Sequence, residues 1–415
     1  LDFTAWVNGP MATSMAAECG AEVLKVEPAG GDGLRGFGSP RQFSPFDVEN
    51  RGKSSMTLDL KHPGAVEVVE RLVRNWADVV CENFRPGVME KLGFGYERLR
   101  AWNPKIIYAS NSGFGPSGDW SQSPSFDAVA QAFAGVATTQ GGGPSHNPVP
   151  VHFAFSDKVG AMSFFSSILC ALVARSRTGE GQQIVTSQVG ATLHFQRFDI
   201  ESAIRDNSVR DDGKPPWHRS NIQNIQQAQD GKWFVMSLMQ GAFFERLCRK
   251  VLDRADILEH ASVKAAGWPR CLGDAHFDEW LYAEISRIVA TKPRERWLEL
   301  CRAAEVPCSP CASYLDMGDA ESTVGRHLRA NGYIFDADHR QFGPKASVGP
   351  PAQFHGTPVT GPVAGEGSWH APLLGEQTLE VLTSAAGYSP EEARALLRSG
   401  VCPAPAARLA RYSKL

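Results

Sequence analysis

Short apolar strands alternating with amphipathic helices constrain this chain more than any other feature. Pro10 suits the first turn of a helix that Gly20 closes, because proline lacks an N–H that the first turn leaves unpaired and glycine accepts the left-handed end. Residues 21–27 then read as a strand. Pro63 opens a second helix, in which Val66, Val69, Leu72, Val73 and Trp76 recur at helical spacing. Residues 77–81 and 105–110 read as further strands. Strands separated by helices at this interval predict an α/β fold with a doubly wound parallel sheet.

Downstream the pattern changes. Residues 205–225 are polar and include Asp211-Asp212-Gly213-Lys214-Pro215-Pro216, the composition of a linker. A smaller α+β unit is expected over 226–305, with a strand at 233–236 and helices around Phe244 and Trp297. Residues 339–369 are rich in glycine and proline and read as an irregular return segment.

Composition narrows the function classes. With 42% hydrophobic and 21% charged residues, the chain can build a core and is not a disordered segment. It has no uncharged apolar run of about eighteen residues, so neither a spanning helix nor a membrane partner is expected. A net charge of −3 argues against a general nucleic-acid binder. Nine cysteines lie scattered without a disulfide framework, which suits a reducing compartment. Leu1 falls inside the expected first strand, Leu1-Asp2-Phe3-Thr4, so a few native residues are expected to precede it.

Asp157 is the candidate reactive residue. It ends the irregular stretch Val151-His152-Phe153-Ala154-Phe155-Ser156 and opens an apolar run from 159 to 173, so it reads as a helix N-terminus. There the first N–H groups lack intrahelical partners and the dipole favours negative charge. A carboxylate so placed is expected to stay ionised, with the same N–H groups open to an adjacent oxyanion, as a carboxylate nucleophile requires. Taken alone, a plain N-capping aspartate explains the residue more simply.

Two other motifs fail on context. Gly31-Asp32-Gly33-Leu34-Arg35-Gly36 satisfies the dinucleotide pattern, but Phe37-Gly38-Ser39-Pro40 follows and cannot propagate the helix that pattern needs. Cys308-Ser309-Pro310-Cys311 has no second pair or histidine to complete a zinc site, and no metal is expected. No nucleophile elbow, P-loop or zincin helix is present. His152 is close to Asp157 in sequence but reads as a packed or solvated histidine.

Asp157 keeps specific company. Gly9-Pro10, residues 20–28, Gly31-Asp32-Gly33-Leu34-Arg35, Asn50-Arg51-Gly52-Lys53 and Leu58-Asp59-Leu60-Lys61 precede it, as do Glu82-Asn83-Phe84-Arg85-Pro86-Gly87 and Ser125-Phe126-Asp127-Ala128. Thr178-Gly179-Glu180-Gly181-Gln182, Val306-Pro307-Cys308 and Ala371-Pro372-Leu373-Leu374-Gly375-Glu376 follow. In this order the set resembles the class III CoA-transferase family, from about residue 1 to about residue 402. The resemblance implies an interlocked homodimer. In each chain a large domain is built from residues 1–204 and 306–402, with a small domain at 226–305.

It also implies a mechanism and a site. Asp157 would attack an acyl-CoA donor, become an aspartyl anhydride and then an aspartyl-CoA thioester, and pass CoA to a carboxylic acid acceptor. Coenzyme A thioester is then a substrate, and no cofactor is bound permanently. By the same resemblance Asn8, Leu58, Lys61, Asn83, Phe84, Arg85, Lys91, Ser125 and Asp127 line the CoA channel. The loops at Leu58, Asn83 and Ser125 also follow predicted strands, where open sheets place ligands. Two rivals stand beside this reading. The α-methylacyl-CoA racemases share the fold, but they carry a histidine base before the second aspartate, where this chain has Phe126. A binding-only acyl-CoA protein is the other, and retention of Asp157 argues against it. Val7 and Pro28 depart from the formate-using members, and no glycine-rich lid is visible between 205 and 260, so formate or oxalate specificity does not carry over.

Residues 403–415 read as a flexible, basic spacer ending in Ser413, Lys414 and Leu415. A free C-terminal Ser-Lys-Leu is read by the peroxisomal import receptor, so a peroxisomal location in a eukaryote is expected. Deleting residues 413–415 is expected to leave catalysis unchanged and move a tagged protein from puncta to cytosol. Unaltered puncta on imaging would show that the tripeptide is not used.

Overall fold

The computed structural model describes residues 1–37, 45–216, 218–340, 343–350, 352–357 and 370–406. The Ser413, Lys414, Leu415 tripeptide lies outside the described residues. The chain divides into two compact units, one from Leu1–Gly213 with Arg329–Leu415 and the other Lys214–Leu328.

The larger unit is a mixed α/β fold on a parallel sheet. Strand β1 (Leu24–Glu27) pairs with β2 (Ser54–Thr57), and β3 (Val79–Glu82), β4 (Ile107–Ser112) and β5 (Gln183–Ser187) pair in that order, all parallel. Asp2 bridges Lys25 on one side and Cys81 on the other, so the N-terminal segment joins the two groups.

Successive strand residues enter different cores. Val80 and Tyr108 join Val69, Leu72 and Val73 of α2 (Ala65–Asn75) and Leu99 of α3 (Tyr96–Trp102). Cys81 and Ala109 instead meet Ala12 of α1 (Asn8–Glu18) and Ala161, Phe164 and Ile168 of the long helix Phe155–Thr178. The C-terminal helices Thr378–Ser384 and Pro390–Arg398 complete the first core through Val381, Leu382 and Ala393. A reciprocal capping box between Ser389 and Glu392 starts the last of them.

Several expectations are corrected. Residues 339–369, read as irregular, begin with part of an antiparallel hairpin, Ile334–His339 on Gly343–Val348. The short strand Cys308–Pro310 pairs with Trp233–Ser237, so the chain stays in the smaller unit to Leu328 instead of leaving near 306. Helix Arg197–Asp206 occupies the start of the expected linker. The long helix Phe155–Thr178 is long and apolar enough, by length and composition, to cross a membrane, although its uncharged stretch runs only from Val159 to Ala174. Its Gly160, Ala161, Phe164, Ile168 and Ala171 are buried, and it packs on α1, β4 and β5, so it is a core helix of the sheet.

Charged residues tie the first loop down. Lys25 Nζ sits 2.9 Å from Asp32 Oδ2 and donates to Thr4 O at 2.8 Å. Lys53 Nζ reaches Asp2 Oδ2 at 3.0 Å, Pro10 O at 2.9 Å and Asn50 Oδ1 at 2.8 Å. Asp2 also accepts from Thr4 N, Thr4 Oγ1 and Thr13 Oγ1. Glu27 accepts from Arg35 through two nitrogens at 2.7 Å each, from Ser55 Oγ and from Asp32 N. Burial lowers the Lys53 ammonium to about 8 although Asp2 opposes the shift. Lys53→Met would strand the Asp2 carboxylate in the core and is expected to cost about 3–5 kcal/mol. Denaturant unfolding checks this, and a loss below about 1 kcal/mol, the range of surface pairs, would show that the pair is not structural.

Candidate active site

Asp157 lies at the carboxyl end of the sheet, 8% exposed, in the first turn of Phe155–Thr178. It is the third residue of that helix, since the helix begins at Phe155 with Ala154 left-handed at φ 54°. The Gln188 carboxamide Nε2 donates to Asp157 Oδ1. Gln188 opens α6 (Gln188–Phe195) directly after β5, and its Oε1 accepts from Ser125 Oγ at 2.9 Å.

Asp127 supplies the cap that Ala154 lacks. Its Oδ1 accepts from Ser156 N at 2.7 Å and Asp157 N at 3.2 Å, and its Oδ2 accepts from Gln131 Nε2 at 2.7 Å. Gln131 in turn exchanges hydrogen bonds with both backbone groups of Val151. Two of the helix N–H groups expected to be open to an oxyanion, those of Ser156 and Asp157, are therefore occupied. The expectation of a readily ionised carboxylate is also corrected. Burial first, and then the Asp127 charge, raise Asp157 to about 7, while Gln188 and Lys158 oppose the shift. Lys158 pairs with the buried Glu49 beside it.

The first loop forms another wall. Asn8 is buried, accepts on Oδ1 from Asn111 Nδ2, and abuts the long helix so closely that a Cβ at Gly160 would lie 2.2 Å from its Nδ2. Trp6 adopts φ 69°, a strained value for a bulky residue, and its N–H is held by Asp32 Oδ1. Its ring packs edge-on against Phe126 at 5.3 Å and Phe37 at 5.8 Å, with Phe126 and Phe37 more than half exposed.

The sequence-predicted residues divide sharply. Asp157, Asp127 and Ser125 meet through Gln188 and the helix start, and Asn8 abuts Gly160 one turn further along that helix. Ser125 thus serves Gln188. Leu58 is 1% exposed in the core, so its side chain supports β2 and cannot line an open channel. Asn83 spends its carboxamide on Ala5 N and Ala5 O, both at 2.8 Å, and clamps the first loop. Phe84 packs partly against the same core as Leu58. Lys61, Arg85 and Lys91 are exposed after β2 and β3, cations free of that core, with Lys91 ending the short helix Val88–Lys91. Gln188, Asn111, Glu49 and Lys158 escaped the sequence reading. The one signal for Gln188 was its place just beyond a strand's carboxyl end.

Known proteins are similar to this chain over most of its length. The model of "CoA-transferase family III" matches residues 1–378. The chain is 33% identical over 347 residues to an acetyl-CoA:oxalate CoA-transferase of Acetobacter aceti, covering 79% of this chain and 83% of that protein. It is 30% identical over 430 residues to a formyl-CoA:oxalate CoA-transferase of Rhodopseudomonas palustris, covering 98% and 96%. The crystal structure of Rv3272 from Mycobacterium tuberculosis superposes with a TM-score of 0.74 at 26% identity, covering 91% and 95%. This chain belongs to CoA-transferase family III, whose substrates are CoA thioesters.

Proposed function

We propose that the chain moves CoA from an acyl-CoA donor to a carboxylic acid acceptor through covalent intermediates on Asp157. The observation that carries the reading is a buried carboxylate with one oxygen tied to a carboxamide, at the carboxyl end of a parallel sheet. Asp157 attacks the donor thioester carbonyl, the C–S bond breaks, and CoA thiolate leaves behind an aspartyl mixed anhydride. The thiolate attacks the aspartyl carbonyl and releases the donor acid, leaving an aspartyl-CoA thioester. The acceptor carboxylate displaces that thiolate to form a second anhydride, and the thiolate then takes the acceptor acyl group and frees Asp157. Thioester energy is conserved throughout. The named relatives act on oxalate, which makes oxalate the first acceptor to assay. Lys61, Arg85 and Lys91 are the proposed phosphate contacts of CoA, because they are exposed cations that follow β2 and β3 at the sheet's carboxyl end.

The same reading extends to a doubly wound sheet, an interlocked homodimer and peroxisomal delivery by Ser413, Lys414 and Leu415. Exposed apolar side chains support the dimer. Met162, Leu169 and Val173 on the long helix, Phe195 on α6 and Phe198 and Ile204 just beyond it are all exposed. Sedimentation should show a dimer that dilution does not separate short of unfolding, and a folded active monomer would refute interlocking.

Asp157→Asn is expected to lower kcat at least about a thousandfold while CoA binding and fold persist. Near-normal turnover would sink the assignment. In the wild type kcat/KM should rise with pH through about 7, as Asp157 ionises. Stability should run the other way. A carboxyl whose folded pKa is raised stabilises below its unfolded value, and that contribution is lost as pH rises through about 7. Asp157→Asn should therefore be more stable than wild type at pH 8, by about 2–4 kcal/mol, with the difference vanishing near pH 4.

A further inference from the structure

We propose that the Gln188 carboxamide is a catalytic hydrogen-bond donor: it holds Asp157 Oδ1, leaves Oδ2 as the attacking oxygen, and stabilises the oxyanion when CoA thiolate attacks the aspartyl carbonyl. This rests on Asp157 being the acyl carrier. Three observations carry it beyond that reading.

First, two of the usual donors are taken. In a helix first turn the backbone N–H groups would serve an oxyanion, but Ser156 N and Asp157 N both donate to Asp127 Oδ1. Gln188 Nε2, by contrast, already donates to Asp157 Oδ1 itself. Second, the amide is oriented. An ionised Asp157 carboxylate only accepts, so the NH2 end faces it, and the Ser125 hydroxyl donates to Gln188 Oε1 at 2.9 Å and holds the other end. Third, the donor is rigid and dry. Gln188 is 7% exposed, opens α6 after β5, and its backbone O accepts from Thr192 Oγ1 at 2.7 Å.

The electron movement follows. In the anhydride, Oδ2 has become the bridging oxygen and Oδ1 is the carbonyl oxygen. Thiolate addition to that carbon pushes the C=O pair onto Oδ1, where the Nε2–H meets a full negative charge. Collapse restores the carbonyl, breaks the bond to Oδ2 and expels the donor carboxylate, which keeps Oδ2. A charge-assisted bond strengthens as this charge develops, so the donor acts more on the transition state than on the ground state.

Gln188→Met keeps the side-chain volume and removes the donor. It should lower kcat about 10²–10³-fold, the cost of one oxyanion donor, with little change in KM for the acyl-CoA. Its acid limb should also move to higher pH, because the ionised Asp157 loses a partner. Gln188→Glu should not restore activity. Ser125→Ala should give a smaller fall, and the double variant should fall no further than Gln188→Met alone. A kcat for Gln188→Met within about threefold of wild type, far short of one oxyanion donor, would overturn the inference. So would full activity in Gln188→Glu. Should Gln188→Met fail to fold by circular dichroism, Ser125→Ala decides: a shifted acid limb supports the inference and an unshifted one overturns it. Asp157→Asn is assayed alongside. If it is active, the Asp157 reading falls and this inference with it. If it is inactive while Gln188→Met turns over normally, only the Gln188 role falls.

Discussion

Two buried ion pairs, Lys25 with Asp32 and Lys53 with Asp2, hold the first loop in place, and the site depends on that loop. Each ammonium loses its hydration on entering the core, a cost recovered only where every charge finds close partners. Here they do: Lys53 meets a carboxylate, a carbonyl and an amide oxygen, and Asp2 takes the loop backbone at Thr4. From the other side Asn83 grips Ala5 through both of its backbone groups. Thus anchored, the loop sets Trp6 at its strained φ and lays Asn8 against Gly160 of the helix that carries Asp157.

The carboxylate of Asp157, the proposed nucleophile, is built against the intrinsic preference of its position. A helix first turn favours ionised aspartate, yet burial and the adjacent Asp127 outweigh the dipole and raise Asp157 to about 7. Asp127 acts in two opposed ways. Its charge destabilises the Asp157 anion, while its hydrogen bonds to Ser156 N and Asp157 N fix the turn that presents the residue. Gln188 and Lys158 pull in the other direction, so the carboxylate is poised near neutrality. Such poise suits the roles proposed for it, nucleophile in one step and leaving group in another.

The parallel sheet was legible because alternation of strand and helix is a local signal, and α2 shows it in Val69, Leu72 and Val73. The meeting of Asp157 with Asp127 and Ser125 was expected from the motifs around them in sequence. Leu58 and Asn83, singled out as ligand contacts, instead hold the fold as a core contact and a clamp, because a short motif does not reveal whether its side chains point inward. The Asp32–Arg35 turn and Lys53, motif residues too, form ion pairs. Gln188 was missed for the converse reason. Its partners, Asp157 and Ser125, are distant in sequence and meet it only after β5 pairs with β4. The hairpin Ile334–His339 with Gly343–Val348 was hidden by charges at alternate positions, which leave a thin apolar face.

The central claim is that the acyl group and then CoA are carried on Asp157. Mass spectrometry of enzyme mixed with acyl-CoA, quenched early and trapped with hydroxylamine, tests it most directly. The account predicts a hydroxamate on the peptide containing Asp157, formed at a rate that matches turnover and absent in Asp157→Asn. Continued turnover with no label on that peptide, or with the label on another residue, would contradict it.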